Sequence, residues 1–176
     1  MGALIKAETA KSIDQQQYLT FTLSGEMFAI GILCVKEIIE YGNLTVVPMM
    51  PNCIRGVINL RGAVVPVVDL ACRFGRRSSE LTRRTCIVIV EVEGDGERHD
   101  VGVVVDAVSE VLEIRDDQVE PTPSFGTKIR TDFIHGMGKI ESKFVIILNA
   151  NKVLSLEDLA VLLKADLVTE SQADVA

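Results

Sequence analysis

The sequence has few of the residues on which catalysis depends. Its 176 residues include no tryptophan and two histidines, and aromatic residues make up 5%. His99 lies in a charged turn and His135 at the start of a predicted strand, so we interpret them as a solvated and an edge histidine. No cluster of side chains has metal-ligand spacing, and no glycine-rich phosphate-binding motif follows a strand. We therefore predict no catalytic residue, no metal and no cofactor; an enzyme using Asp106 or His135 is the rival hypothesis.

Positive charge is also scarce. The chain has 25 acidic and 18 basic residues, a net charge of −7, and such a chain repels phosphate backbones at long range. The one basic run lacks the interleaved aromatic residues that stack on nucleic-acid bases. We interpret it as a solvated connector, with an acidic protein partner as the alternative; its residues are Arg73, Arg76, Arg77, Arg83 and Arg84.

Long apolar runs and paired cysteine motifs are absent from the sequence. No run approaches the roughly 18–20 residues that cross a bilayer, and Met1–Gln17 lacks the apolar stretch of about 7–15 residues of a secretory signal. The four cysteines form no C-x-x-C motif and are predicted to be structural free thiols: Cys34, Cys53, Cys72 and Cys86. We expect a cytoplasmic protein without direct membrane insertion.

The residues that are present favour short β-strands. Hydrophobic residues make up 48% of the chain, and in Tyr18–Leu23 they alternate with threonines, the period of a strand with one buried face. Pro66 predicts an edge position or a bulge in its strand. The first half contains five predicted strands, at Tyr18–Leu23, Met27–Ile32, Val35–Tyr41, Val57–Leu60 and Ala63–Leu70.

The second half repeats this plan. Ile134–Gly136 stands 80 positions after Ile54–Gly56, and Val108–Leu112 stands 73 positions after Val35–Ile39. The extra seven residues fall in the loop Glu120–Thr131. An internal duplication with a period of about 75 residues predicts two small barrels and not a solenoid.

These patterns predict an all-β fold over residues 17–165. Two intertwined barrels are expected, the first over about 17–75 and the second over about 84–153. A short C-terminal helix is predicted over about 155–165, since Ser155 and Asp158 fit a capping box and apolar residues follow at helical spacing. Residues 1–16 and 166–176 are predicted to be mobile tails.

Arg61 is the clearest candidate binding residue. Strand alternation predicts that Ile58 and Leu60 are buried, and Gly62 permits a turn at which the guanidinium projects into solvent. An arginine so placed can bind a carboxylate through two parallel hydrogen bonds. The alternative is an arginine that only solubilises the rim of a barrel.

Val35 and Glu37 form a second candidate site. They alternate on one predicted strand, so an apolar side chain lies beside a carboxylate. Such a pair suits a hydrophobic contact with a charged border, although the same pattern also fits a purely structural strand. The residues alone do not separate these two interpretations.

The segment Arg55–Gly62, RGVINLRG, resembles the signature of the CheW family of chemotaxis coupling proteins. The resemblance continues through Val64–Leu70, VVPVVDL, and Arg73-Phe74. Val35–Ile38 and Gly102–Val108 match the family as well. The resemblance covers about residues 16–165, nearly the whole chain.

The resemblance implies two five-stranded Src-homology-3-like barrels without catalytic activity. It implies a chemotaxis adaptor that couples the cytoplasmic tip of chemoreceptors, a helical hairpin, to the histidine kinase CheA, whose regulatory domain shares the fold. It also implies a monomer that assembles into rings within receptor arrays. The family's receptor-facing positions correspond to Val35, Glu37, Gly56 and Arg61, and its kinase contact corresponds to Val108 and Val111.

The sequence departs from the family pattern near the first barrel. Met49 and Met50 replace a more polar pair, and Cys53 replaces a larger apolar residue. Because these side chains are soft and adaptable, the choice of receptor stays open. The alternative function is a CheW-like adaptor of a non-chemotaxis system, such as motility or development.

Overall fold

A computed structural model describes residues 15–50, 53–78, 80–94, 96–122 and 131–155. The predicted C-terminal helix lies outside these residues except for Ser155. The predicted C-terminal tail and residues 1–14 of the N-terminal tail also lie outside them.

The described residues form eleven β-strands and two one-turn helices. The first half contains β1 to β5 and helix α1, and the second half contains β6 to β11 and helix α2. Their bounds are β1 Gln15–Leu23, β2 Glu26–Gly31, β3 Val35–Glu40, β4 Ile54–Leu60, β5 Ala63–Asp69, α1 Leu70–Arg73, β6 Cys86–Gly94, β7 Glu97–Val105, β8 Ala107–Arg115, β9 Val119–Glu120, β10 Ile134–Ile140, β11 Lys143–Leu148 and α2 Ala150–Val153. The predicted all-β class is confirmed.

The strands form two sheets of the same plan. The first sheet has the order β3-β6-β7-β5-β4, and the second has the order β8-β1-β2-β11-β10, extended by the two-residue strand β9. Each sheet contains one parallel pair, β5 with β7 in the first and β11 with β2 in the second. The two small Src-homology-3-like barrels predicted from the sequence are therefore present.

The two barrels exchange hairpins between the halves of the chain. The hairpin β6–β7 completes the sheet of β3, β4 and β5, while the hairpin β1–β2 completes the sheet of β8, β10 and β11. The segments 17–75 and 84–153 therefore each contribute to both barrels. A duplicated sequence provides two equivalent partners for every hairpin, and strand patterns do not distinguish between them.

Corresponding turns and caps confirm the internal repeat. The register of β4 against β5 shifts between Ile54 and Gly56, and that of β10 against β11 shifts between Ile134 and Gly136. The carboxylate of Asp69 caps α1, and the side-chain amide oxygen of Asn149 caps α2 in the same way. These features recur at the offset of 80 residues found in the sequence.

A central hydrophobic core lies between the sheets and draws residues from both of them. Its Phe28 is fully buried, and the Phe28 ring packs on that of Phe21 at 6.1 Å and on that of Phe74 at 5.5 Å between ring centres. Phe74 in turn contacts Phe133 at 6.3 Å. Burying these rings contributes several kcal/mol, because a buried aromatic side chain removes about 150–250 Å² of surface from water.

Two arginines of the connector are not solvated as predicted. Arg73 donates a hydrogen bond from Nε to the carbonyl oxygen of Val153 at 2.9 Å, and its guanidinium lies 4.6 Å from the centre of the Phe133 ring. Arg76 pairs with Glu26 at 3.1 Å. Arg73 therefore joins α1 to the end of α2. The rest of the run is exposed, as predicted, at Arg77, Arg83 and Arg84.

Pro66 does not mark an edge strand. Strand β5 lies inside its sheet, between β4 and β7. The pairing of β5 with β7 begins at Val67, one residue after Pro66. The N–H that proline lacks therefore falls outside the hydrogen-bonded pairs of these two strands. The register shift in this region occurs in β4 and not in β5.

Candidate functional site

Arg61 and Glu37 form an ion pair at the surface of the first barrel. Arg61 occupies the turn between β4 and β5 with a φ of 54°, and the adjoining Gly62 donates its N–H to Asn59 Oδ1 at 2.9 Å. The turn directs the guanidinium toward β3, where Nη2 lies 2.9 Å from Glu37 Oε2. The Arg61 side chain is 82% exposed and that of Glu37 is 25% exposed. The two predicted charged residues are thus brought together.

This pair can accept a partner without being dismantled. The guanidinium has five N–H donors, and its contact with Glu37 engages Nη2. The remaining donors of such a group can bind a second carboxylate. Ile38 and Val64 are exposed apolar residues on β3 and β5. Because successive side chains of a strand point to opposite faces, Ile38 lies on the face of β3 opposite to Glu37.

Val35 lies at a bulge of β3 and is half-buried. The register between β3 and β6 shifts between Val35 and Glu37, and the Val35 side chain packs against the central core. Val35 therefore supports the strand that carries Glu37 while exposing part of its own surface. The structure places it two residues from the ion pair, on the same strand.

Gly56 is buried, and its main contact is internal. A Cβ atom at this position would lie 2.5 Å from the carbonyl oxygen of Thr45. The close approach lets Thr45 and Val57 exchange two backbone hydrogen bonds of 2.9 Å each. Gly56 thus allows the segment after β3 to pack onto β4. A partner that binds near Gly56 would therefore contact a surface whose shape is set by the position of that segment.

Val108 and Val111 lie on β8 of the second barrel and differ in exposure. Val108 is half-buried against the central core, whereas Val111 is 47% exposed. Between them, Glu110 exchanges backbone hydrogen bonds of 2.7 and 3.1 Å with the hydroxyl of Thr20, which is buried in β1. This anchors β8 and leaves Val111 as the accessible apolar residue of the pair.

The two barrels carry opposite charge at equivalent positions. Glu141 stands where the first barrel has Arg61, with a φ of 56° in the same kind of turn. Glu110 is the counterpart of Glu37, and both second-barrel acids are exposed. The first barrel therefore presents a cation next to an acid, and the second presents two acids. A partner can distinguish the barrels by this difference.

A network of charges covers the outer face of β3. Lys36 lies 2.9 Å from Asp100 Oδ1 and 3.2 Å from Glu91 Oε2. The hydrogen bonds that Lys36 donates to Asp100 and Glu91 raise its pKa above the usual value for lysine. Lys36 is therefore engaged by acids of the chain itself, which leaves Arg61 as the more accessible cation of this region.

A buried ion pair next to the β4–β5 hairpin was not predicted from the sequence. Asp69 is fully buried, and its Oδ2 accepts hydrogen bonds from both Nε and Nη2 of Arg55 at 2.9 Å. Its Oδ1 accepts the N–H of Cys72 at 3.2 Å. Asn149 stands 80 positions after Asp69, at the equivalent place in the repeat. Both residues cap a one-turn helix, so the repeat indicates a structural role for Asp69.

The described residues contain no group of three or more His, Cys, Asp or Glu side chains placed to hold a metal ion. Within the same ranges, no helix has the length and apolar character needed to cross a membrane. A small apolar space in the central core, lined by Phe21, Val88 and Leu148 among others, has no room for a ligand.

The fold is a β domain of two small barrels. The family model described as CheW-like domain matches residues 17–158. The chain belongs to this family. The resemblance noted in the sequence is thereby confirmed.

Individual relatives agree with this assignment. The chemotaxis protein CheW of Klebsiella aerogenes is 36% identical over 145 residues, which cover 82% of this chain and 85% of that protein. The probable chemotaxis protein CheW of Rhizobium etli is 33% identical over 147 residues, 82% of this chain and 92% of its own. The crystal structure of the scaffolding protein TtCheW from Thermoanaerobacter tengcongensis has a TM-score of 0.71 and 34% identity, and the match covers 80% of this chain and 88% of that one.

The two arginine–carboxylate pairs should differ sharply in their contribution to stability. We predict that Arg55→Ala lowers the free energy of unfolding by about 3–5 kcal/mol, because it leaves the Asp69 carboxylate buried without its cation. Arg61→Ala should lower it by less than about 1 kcal/mol, because an exposed pair is screened by water. Urea unfolding followed by circular dichroism measures both values; equal losses would contradict the distinction.

Proposed function

We propose that this chain is a non-enzymatic chemotaxis adaptor that couples chemoreceptors to the histidine kinase CheA. The observation that carries the proposal is the exposed Arg61–Glu37 pair on the first barrel, which the second barrel lacks at Glu141 and Glu110. Membership of the CheW-like family supports it. The proposal is also supported by relatives named as chemotaxis proteins and by a solved relative named as a scaffolding protein.

The receptor-facing surface is proposed to be formed by Val35, Glu37, Gly56 and Arg61. A helical hairpin presents an apolar stripe flanked by charges. Arg61 can bind an acid at the border of that stripe, and the half-exposed Val35 can contact the stripe itself. Gly56 contributes indirectly, because its lack of a side chain lets the Thr45 segment pack against β4. The pair also positions Arg61 before the receptor arrives, which lowers the entropic cost of binding.

The kinase-facing surface is proposed to lie on β8. Val111 provides the exposed apolar contact, and Val108 supports it from the core side of the strand. The CheA regulatory domain, which shares the fold, would pair with this surface barrel to barrel. Opposite barrels of one adaptor would then contact different partners.

The proposed setting is the cytoplasm, where the adaptor is recruited to receptor arrays. The chain would be a monomer alone and part of a ring in the array. Modest individual contacts suffice there, because linked binding sites raise the effective concentration of each partner. No catalytic activity, nucleic-acid binding or membrane insertion is part of this function.

Arg61→Glu should weaken binding to a receptor-tip fragment at least tenfold. The new carboxylate would face Glu37, and like charges in this position remove both the ion pair and the cation offered to the receptor. Co-sedimentation with receptor-tip fragments measures the effect. Binding to the CheA regulatory domain should stay within about twofold of the unchanged chain, since an exposed pair contributes little to folding.

The matched control is Glu141→Arg, at the equivalent turn of the second barrel. It changes the net charge by the same amount with opposite sign and should leave receptor binding unchanged. Unaltered receptor binding by a folded Arg61→Glu variant would contradict the assignment of this surface. Binding to receptors of a motility or development system instead would support the alternative adaptor function.

Val111→Arg should weaken binding to the CheA regulatory domain at least tenfold, because it places a charge in the apolar centre of the proposed contact. Receptor-tip binding should be unaffected. Isothermal titration calorimetry with each partner measures both affinities. The control is Leu81→Arg, another exposed apolar residue, on the connector between the halves. Equal loss of both partners by a folded Val111→Arg variant would argue against separate surfaces.

A further inference from the structure

Asp69 brings two cysteines of the first barrel together. Its backbone N–H donates to the carbonyl oxygen of Cys53 at 2.7 Å, and its carboxylate accepts the N–H of Cys72 at 3.2 Å. Cys53 immediately precedes β4, and Cys72 lies in α1 directly after β5. Because Asp69 is also fixed by Arg55, both cysteines are anchored to one rigid, buried residue.

The two thiols are in direct contact. The side chains of Cys53 and Cys72 share a hydrogen bond, and both residues are half-buried free thiols. Burial, followed by this hydrogen bond, raises the pKa of Cys53 to about 12. Cys53 therefore stays protonated at neutral pH and can donate its S–H to Cys72.

The other two cysteines have different surroundings. The thiol of Cys86 donates to the carbonyl oxygen of Arg84 at 3.1 Å. Cys34 lies just before β3 and packs against the central core, and burial raises its pKa. The second barrel has Phe133 and Lys152 at the positions equivalent to Cys53 and Cys72. The thiol pair is thus specific to the barrel that carries Arg61.

We propose that Cys53 and Cys72 are a redox modification site that forms a disulfide on exposure to a peroxide. With hydrogen peroxide, one sulfur of the pair attacks a peroxide oxygen, the O–O bond breaks, and the thiol proton leaves with the hydroxide as water, which gives a sulfenic acid. The other sulfur then attacks this sulfenic sulfur, the S–O bond breaks, and the departing hydroxide takes the second thiol proton as water. Two thiols are oxidised by two electrons in total, and one hydrogen peroxide is reduced to two waters. A small dithiol reverses the bond by exchange.

The disulfide would close a loop that consists of β4, β5 and the turn with Arg61. It would tie the start of β4 to α1, next to the place where the Thr45 segment packs on Gly56. A cross-link of this kind restricts the unfolded chain. The inference rests on the thiol geometry and does not depend on the proposed adaptor function.

Tryptic mapping of the full chain tests the proposal directly. Trypsin places the four cysteines in four different peptides, with Cys53 in Glu37–Arg55 and Cys72 in Gly62–Arg73. After treatment with dilute hydrogen peroxide and alkylation of free thiols, we expect these two peptides linked, with a loss of about 2 Da for the two hydrogens removed. Dithiothreitol should release them. The melting temperature of the oxidised chain should rise by several degrees.

Three variants separate the possible outcomes. Cys34→Ser/Cys86→Ser should retain the linked peptides and the rise in melting temperature. The single variants Cys72→Ser and Cys53→Ser should each lose the linked peptides and the rise in melting temperature. The proposal is overturned if peroxide modifies Cys34 or Cys86 while the pair stays reduced, or if Cys72 is oxidised to a sulfinic acid without linkage to Cys53.

Discussion

Each barrel of this protein is completed by a hairpin from the other half of the chain, and the rest of the structure depends on this exchange. The hairpin β6–β7 lies inside the first sheet, and β1–β2 lies inside the second. The exchange forces the chain to cross between sheets, which creates the central core with Phe28 and Phe74. Neither barrel can bury its apolar face alone. The proposed partner-facing surfaces on β3 and β8 therefore share one core, against which Val35 and Val108 both pack.

The repeat provides a symmetric framework on which a few side chains differ. Backbone features are common to both halves, including the left-handed turns at Arg61 and Glu141. The caps of the one-turn helices are also shared, but the Arg55–Asp69 pair of the first barrel is replaced by His135 and Asn149 at the equivalent positions of the second. Such a framework can contact two unlike partners, because the difference lies in exposed charge and apolar residues and not in the fold. Exposed side chains can change without a large effect on stability.

Strand identity, the duplication and the exposed arginine followed from local pattern. Alternation in Tyr18–Leu23 and the turn at Gly62 are short-range signals, and the structure agrees with them. Intertwined barrels are among the predictions, but local pattern does not identify which sheet each hairpin joins, because equivalent partners have equivalent patterns. The Arg55–Asp69 pair was missed for a related reason: strand alternation assigns a charged residue to a face but cannot identify its partner 14 residues away. Among the predicted site residues, Gly56 proved buried, which a glycine in a strand pattern does not reveal.

We propose that this domain binds receptor and kinase through different barrels, and hydrogen–deuterium exchange of the full chain, alone and with each partner fragment, can show this. We expect a receptor-tip fragment to protect amides of β3 and the β4–β5 turn, and the CheA regulatory domain to protect amides of β8. Protection of the same amides by both partners, or of neither region by its assigned partner, would contradict it.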